Sequence, residues 1–263
     1  MPRSRQHNDP SQSRWWSMLA GLSFVFAAAG WLIVNEQSRR ARRAIIQTLV
    51  RWPPAMRRPL STFIRWWSDH WIDPWRSLRR QVASGASGDV LEIGVGSWPN
   101  LLYYPPVTRL VGVEMHRRVV FSARRRARRL RPGAQVVHAS PERLPFAAAS
   151  FDTVVTSLAL CNVDDQAATL AEIARVLRPD GHLYFLEHVR AIETSIALVQ
   201  DTLTPIWRLV TRGCHPNRDT LSALTTAGFT ITAIEQPHGP WGPLQPTVYG
   251  VAHRVVASII EIP

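Results

Sequence analysis

The chain predicts an α/β domain on a mostly parallel, Rossmann-like sheet with one antiparallel edge strand, joined to an N-terminal transmembrane helix. Three observations carry that prediction. An uncharged apolar run fills residues 15–34. Short strands of the buried type alternate with helical segments from residue 89 onward. The first of those strands ends on a glycine turn, and the second ends on an acid roughly twenty residues further along.

The apolar run reads WWSMLAGLSFVFAAAGWLIV. As a helix it rises about 30 Å, the thickness of a bilayer core. Trp15, Trp16 and Trp31 fall near its ends, where amphipathic rings favour the headgroup level. A cleaved signal peptide, with Ala27, Ala28 and Ala29 as its cleavage-like site, is the competing reading. The run continues past that point through Trp31, Leu32, Ile33 and Val34, which favours an uncleaved anchor. Arg3, Arg5 and Arg14 precede the span, whereas Arg39, Arg40, Arg42, Arg43 and Arg51 follow it, so the positive-inside rule puts the C-terminal bulk in the cytoplasm.

Residues 35–85 interleave Arg with Trp, as in Arg57, Arg58, Arg65, Trp66, Trp67, Trp71, Trp75, Arg76, Arg79 and Arg80. That mixture suits helices lying on anionic lipid, with Pro53, Pro54 and Pro59 dividing them. A helix packed on the α/β domain is the alternative, foremost over 62–82. Arg and aromatic mixtures also bind single-stranded nucleic acid, but the neighbouring apolar span favours lipid, and no nucleic-acid partner is expected. The organisation expected is therefore a basic tail at 1–14, a transmembrane helix at 15–34, an interfacial region at 35–85 and the α/β domain at 86–263.

The net charge of +12 comes from 31 basic against 19 acidic residues, and every basic residue is Arg. Such a balance supports contact with an anionic surface without identifying it. Cys161 and Cys214 lie far apart, in no CxxC pair and at no metal-ligand spacing, so two free thiols and no metal are expected.

After the flexible joint at 84–88, residues 89–93 read as a buried strand running into Gly94, Val95, Gly96 and Ser97. A second strand over 109–113 ends on Glu114. Strands follow at 134–138 and 151–157, an amphipathic helix at 165–177 stops at Pro179, Asp180 and Gly181, and a fifth strand covers 183–189. Helical segments near 194–211 and 217–227 precede two late strands, 229–235 and 248–254. Those two lack a crossover helix, which implies the antiparallel edge.

A glycine turn followed by an acid is shared by nicotinamide and adenosylmethionine enzymes. Two residues separate them here. Pro99 stands where a dinucleotide fold needs Gly or Ala for helix packing. Glu92 stands two residues before the first glycine, where a carboxylate can meet the amino group of a methionine moiety. S-adenosylmethionine has no pyrophosphate and gains little from a strict phosphate cradle.

The segments VLEIGVGSW, LVGVEMHRR, SPERLPFAAASFDTVVTSLAL and IARVLRPDGHLYFLEHV, in this order, resemble the class I S-adenosylmethionine-dependent methyltransferases that include the quinone C-methyltransferases (the methyltransferase type 11 domain). Tyr104, Pro105 and Pro106, the run SLALCNV, the stretch 200–220 and the run PTVYG narrow the likeness to the membrane-associated thiol methyltransferases (the methyltransferase-like seven group) and their bacterial relatives. The resemblance implies that Glu92, Gly94, Gly96 and Ser97 hold the methionine end of S-adenosylmethionine. Glu114 would bind the ribose diol, Met115 would pack on adenine, Ser140 and Pro141 would meet the adenine edge, and Ser157 would line the pocket beneath the sulfonium.

Two departures stand out. Trp98 occupies the family's third glycine position, where a ring would wall the pocket or displace the donor, and Ser140 replaces the Asp of many relatives. His188, beside Glu187 at the end of the fifth strand, is the candidate catalytic group, with a His satisfied by backbone as the alternative reading. The expected function is methyl transfer to a small apolar acceptor near the membrane, either a thiol or a quinone- or lipid-type carbon or oxygen. A catalytically degenerate, membrane-bound binding module is the second reading, motivated by Trp98, and a nicotinamide oxidoreductase is the third.

Overall fold

A computed structural model describes residues 75–211, 213–236 and 246–254. The apolar run at 15–34 and the interfacial residues before Trp75 lie outside the described residues. Among those described, no helix is long and apolar enough to cross a membrane.

The elements are α1 (Arg76–Ser84), β1 (Asp89–Ile93), a short 3-10 helix (Pro99–Leu102), β2 (Arg109–Glu114), α2 (Arg117–Leu130), β3 (Gln135–His138), β4 (Phe151–Ser157), α3 (Gln166–Val176), β5 (Leu177–His188), α4 (Thr194–Thr211), α5 (Thr220–Thr226), β6 (Phe229–Glu235) and β7 (Thr247–Arg254). They build one seven-stranded sheet in the order β3-β2-β1-β4-β5-β7-β6. The pairs β1–β2, β1–β4, β2–β3 and β4–β5 are parallel. β7 runs antiparallel to both β5 and β6, so the pairing at this side of the sheet is antiparallel, with the reversed strand one in from the edge strand β6 rather than at the edge itself. Strand order reverses beside β1, and in open α/β sheets ligands bind at the carboxyl ends of strands at such a point.

The pleat divides the core into two layers, because successive side chains of a strand face opposite sides. Leu91 and Ile93 of β1 join Val111, Val113, Val154, Leu183 and Phe185 on the face covered by Leu170 and Ile173 of α3 and Leu224 of α5. Val90 joins Leu110, Val155 and Leu186 on the other face, covered by Leu78 and Val82 of α1 and by Val120, Ala123 and Ala127 of α2. The same alternation sends Glu92 to the α1 and α2 face. There Gly112 of β2 leaves room for the Trp98 ring: a Cβ at Gly112 would stand 2.6 Å from Val95 Cγ1 and 3.0 Å from Trp98 Cη2.

Two expectations are corrected by the packing. Trp75 and α1 belong with the α/β domain, since Trp75, Leu78, Val82 and Ala83 are buried in its core, and the packed-helix alternative holds for that stretch. β5 starts at Leu177, earlier than the expected strand at 183, because Leu177 pairs with Phe151. The pairing then jumps to His182 opposite Thr153, so residues 178–181 form a bulge rather than a helix terminus. Arg178 in that bulge is held by Asp89 and Asp152.

Gly112→Ala should destabilise the protein by about 1–3 kcal/mol through overpacking against Val95 and Trp98. Urea unfolding of the wild type and the variant checks this.

Candidate active site

β1 leaves the sheet through a tight turn. Gly94, Gly96 and Trp98 all adopt left-handed backbone, with φ of 68°, 57° and 61°. Gly94 and Val95 donate to the Val113 carbonyl at 2.8 and 3.1 Å, which pins the turn over β2. Trp98 thus holds the conformation a glycine would take at the third position, at a cost of about 1–2 kcal/mol for a non-glycine residue. Its ring is fully buried, and its Nε1 donates to Glu92 Oε2 at 2.6 Å.

Glu92 collects two further donors, Tyr104 OH to Oε2 at 2.6 Å and Asn100 Nδ2 to Oε1 at 2.8 Å. Burial pushes its carboxyl up to about 7, against the pull of Tyr104, Trp98, Arg79 and Asn100. Burial also raises the Tyr104 hydroxyl well above its ordinary value, reinforced by the neighbouring Glu92.

Beside this cluster lies a cavity of about 230 Å³ at the carboxyl ends of β1, β2 and β4. Seven of the expected site residues line it: Gly94, Gly96, Ser97, Glu114, Met115, Pro141 and Ser157. Glu114 is buried, with Oε2 accepting from Gly96 N–H at 3.1 Å and Oε1 accepting from His116 N–H at 2.8 Å. The His116 ring Nδ1 also lies 3.0 Å from Oε1, so the acceptor capacity left to the acid is on Oε2, which carries the single Gly96 contact. Ser157 Oγ accepts from Arg79 Nη1 at 3.0 Å.

Three expected residues stand apart from the lining, each for a visible reason. Glu92 faces Trp98, Asn100 and Tyr104, whose hydrogen bonds to it anchor the turn. The Ser140 hydroxyl donates to Glu142 Oε2. His188 is buried among Cys161, Cys214 and Trp75. Trp98 is also absent from the lining although Ser97 and Pro99 belong to it, so its ring does not fill the cavity.

Arg79, Asn162 and Thr211 line the cavity without having been singled out in the sequence. Arg79 was hidden among the other arginines of its region. Its only signal is position: it follows the buried Leu78 by one residue and precedes the buried Val82 by three, so it sits at the border of the packed face.

A Rossmann-like sheet with glycine-turn backbone on one side of a strand-end cavity and a buried acid on the other is the arrangement of an α/β nucleotide-cofactor site. A family model described as a methyltransferase domain matches residues 91–185. The chain is 34% identical over 180 residues to thiol S-methyltransferase TMT1A of Homo sapiens, covering 65% of this chain and 74% of that protein. It is 32% identical over 187 residues to thiol S-methyltransferase TMT1B of Rattus norvegicus, covering 67% and 77%. A solved S-adenosylmethionine-dependent methyltransferase from Mesorhizobium loti shares the fold at 19% identity and a TM-score of 0.54, covering 69% of this chain and 98% of that one.

The chain belongs to the class I S-adenosylmethionine-dependent methyltransferases, in the group that includes the thiol S-methyltransferases. S-adenosylmethionine is the methyl donor of that family, and the buried Glu114 lies beside the glycine turn, 3.1 Å from Gly96 N–H.

Glu92 makes stability depend on pH with a defined sign. The folded state holds its proton to about pH 7, whereas the unfolded chain releases it near 4.5. This contribution is therefore complete below 4.5 and is lost as the pH rises to about 7, amounting to about 3 kcal/mol. Denaturant titrations at pH 5 and pH 8 should show that fall in the wild type and a flatter dependence in Glu92→Gln.

Proposed function

We propose that this methyltransferase methylates a small apolar thiol at sulfur, beside a membrane. The likeness to thiol S-methyltransferases over most of their length carries that reading. The cavity supports it: Met115, Leu158 and Val163 give it apolar walls, and Arg79 supplies a positive charge.

In this reading Glu114 accepts from the donor's ribose hydroxyls and Met115 and Pro141 flank its adenine. Arg79, held by Ser157 and Asn100, pairs with the donor's carboxylate through its planar fork. When bound, S-adenosylmethionine supplies a methyl group activated by a positive sulfonium. The protein's part is then mainly alignment, which is worth up to about 7–11 kcal/mol when well arranged. A thiol with a free pKa of about 8.5 is already partly thiolate near neutrality, so it needs little help from a base. That requirement agrees with a cavity whose lining does not include His188.

The uncharged run at 15–34 and the Arg and Trp residues that follow it support a single-pass anchor with the catalytic domain on the cytoplasmic side. An anionic lipid surface would then bring apolar acceptors to the cavity by partition.

The test offers methyl-labelled S-adenosylmethionine with a panel of alkyl thiols, quinols and phosphatidylethanolamine. Labelled methyl thioether is the expected product, and label confined to quinol or lipid would defeat the thiol reading. Arg79→Ala should weaken donor binding by about tenfold, a loss of about 1.4 kcal/mol, while leaving the thiol KM nearly unchanged. Calorimetry and initial rates separate those two effects.

A further inference from the structure

We propose that Cys161, Cys214 and His188 form a binding site for one thiophilic divalent metal ion, zinc by the chemistry of the donors. The three residues come from separate parts of the chain. Cys161 lies in the turn after β4, His188 ends β5, and Cys214 follows α4, so no local spacing announces them. Folding brings their ligand atoms within 4.8 Å of one another.

The triangle they form has the dimensions of a metal site. Cys161 Sγ and Cys214 Sγ are 3.6 Å apart, and His188 Nδ1 lies 3.3 Å from Cys214 Sγ and 3.7 Å from Cys161 Sγ. Zinc–thiolate bonds of about 2.3 Å and zinc–imidazole bonds of about 2.0–2.1 Å, set at tetrahedral angles, put two sulfurs about 3.8 Å apart and sulfur about 3.6 Å from nitrogen. The observed edges agree to a few tenths of an ångström without any ligand having to move far. A disulfide, by contrast, requires the sulfurs to close to about 2.05 Å.

The surroundings hold the ligands in place. Cys161, Cys214 and His188 are all buried. Glu187 accepts the N–H groups of Ala159, Leu160 and Cys161 at 3.0, 3.0 and 3.1 Å, which fixes the turn that carries the first cysteine. His215 N–H donates to the Cys161 carbonyl at 2.8 Å and ties the two cysteine segments together. Gln200 bridges the carbonyls of Val189 and Pro216 at 3.1 and 2.9 Å, so the second cysteine's loop is seated on the end of β5. The Trp75 ring stands edge-on to the His188 ring at 5.5 Å. These contacts fix the backbone that carries the ligands, while among the described residues His188 Nε2 is buried without a hydrogen-bond partner, which leaves Nδ1 facing the two sulfurs.

Two thiolates and one imidazole select zinc-type ions over magnesium or calcium, which prefer oxygen. Three protein ligands leave one position for water or another small ligand. Asn162 links the site to the donor cavity, because it lines that cavity and its Nδ2 lies 3.5 Å from Cys161 Sγ. The proposal does not depend on the acceptor assignment.

The test uses the full chain in detergent with a phosphine reductant, stripped by chelator and reloaded. One zinc per chain should survive gel filtration, and cobalt should give tetrahedral d–d bands with thiolate charge transfer. Cys161→Ser and Cys214→Ser should each weaken zinc binding at least 100-fold, with folding followed by circular dichroism. If a serine variant does not fold, the wild type still decides: zinc should protect both cysteines from alkylation, read by peptide mass spectrometry. A folded wild type that retains no zinc, cysteines alkylated equally fast with and without zinc, or a cobalt spectrum unchanged in the serine variants would each overturn the site.

Discussion

A carboxylate buried beneath the first strand is the constraint on which the donor cavity depends. Glu92 cannot be hydrated where it lies, so it must be met by donors from the protein, and it finds three within twelve residues: Trp98, Asn100 and Tyr104. Those donors belong to the turn and the short helix after β1. Satisfying Glu92 therefore folds that segment down against β2, with Gly94 and Gly96 left lining the space above. The arrangement also explains a tryptophan with left-handed backbone. Its strain is offset by a fully buried ring and a short hydrogen bond to a carboxylate.

A second buried acid repeats the device at the end of β5. Glu187 clamps the turn after β4 through three backbone N–H groups, whereas Glu92 clamps the turn after β1 through three side chains. Both turns contribute to the cavity, Gly94–Ser97 from one and Leu158, Ala159 and Asn162 from the other. The site is thus framed by two segments whose shapes are set by hydrogen bonds to buried acids. Such preorganisation matters for methyl transfer, in which alignment supplies most of what the protein adds.

Much of this was legible in the sequence, and the reasons are specific. Leu91, Ile93, Val111 and Val113 alternate with the period of a strand, and their burial in one layer follows from the pleat. Gly94, Gly96 and Glu114 form a local pattern whose spacing already implies a cavity at the strand ends. What escaped depends on contacts between distant parts of the chain. Nothing near Arg79 reveals that it reaches Ser157, 78 residues away. Cys161 and Cys214 are 53 residues apart, and only the fold joins them to His188. Glu92 was recognised as a site residue, but its role depends on whether Trp98 turns inward, which neither residue discloses alone. The bulge at 178–181 was missed because Pro179, Asp180 and Gly181 read as a helix stop, whereas Leu177 pairs as a strand.

The central proposal is that Glu92 shapes the cavity from beneath while Glu114 is the acid that meets the donor. A crystal structure with S-adenosylhomocysteine tests it most directly. The account predicts ribose hydroxyls within hydrogen-bond distance of Glu114 and Glu92 still holding Trp98, Asn100 and Tyr104. A homocysteine amino group seated on Glu92, with those three donors displaced, would contradict it.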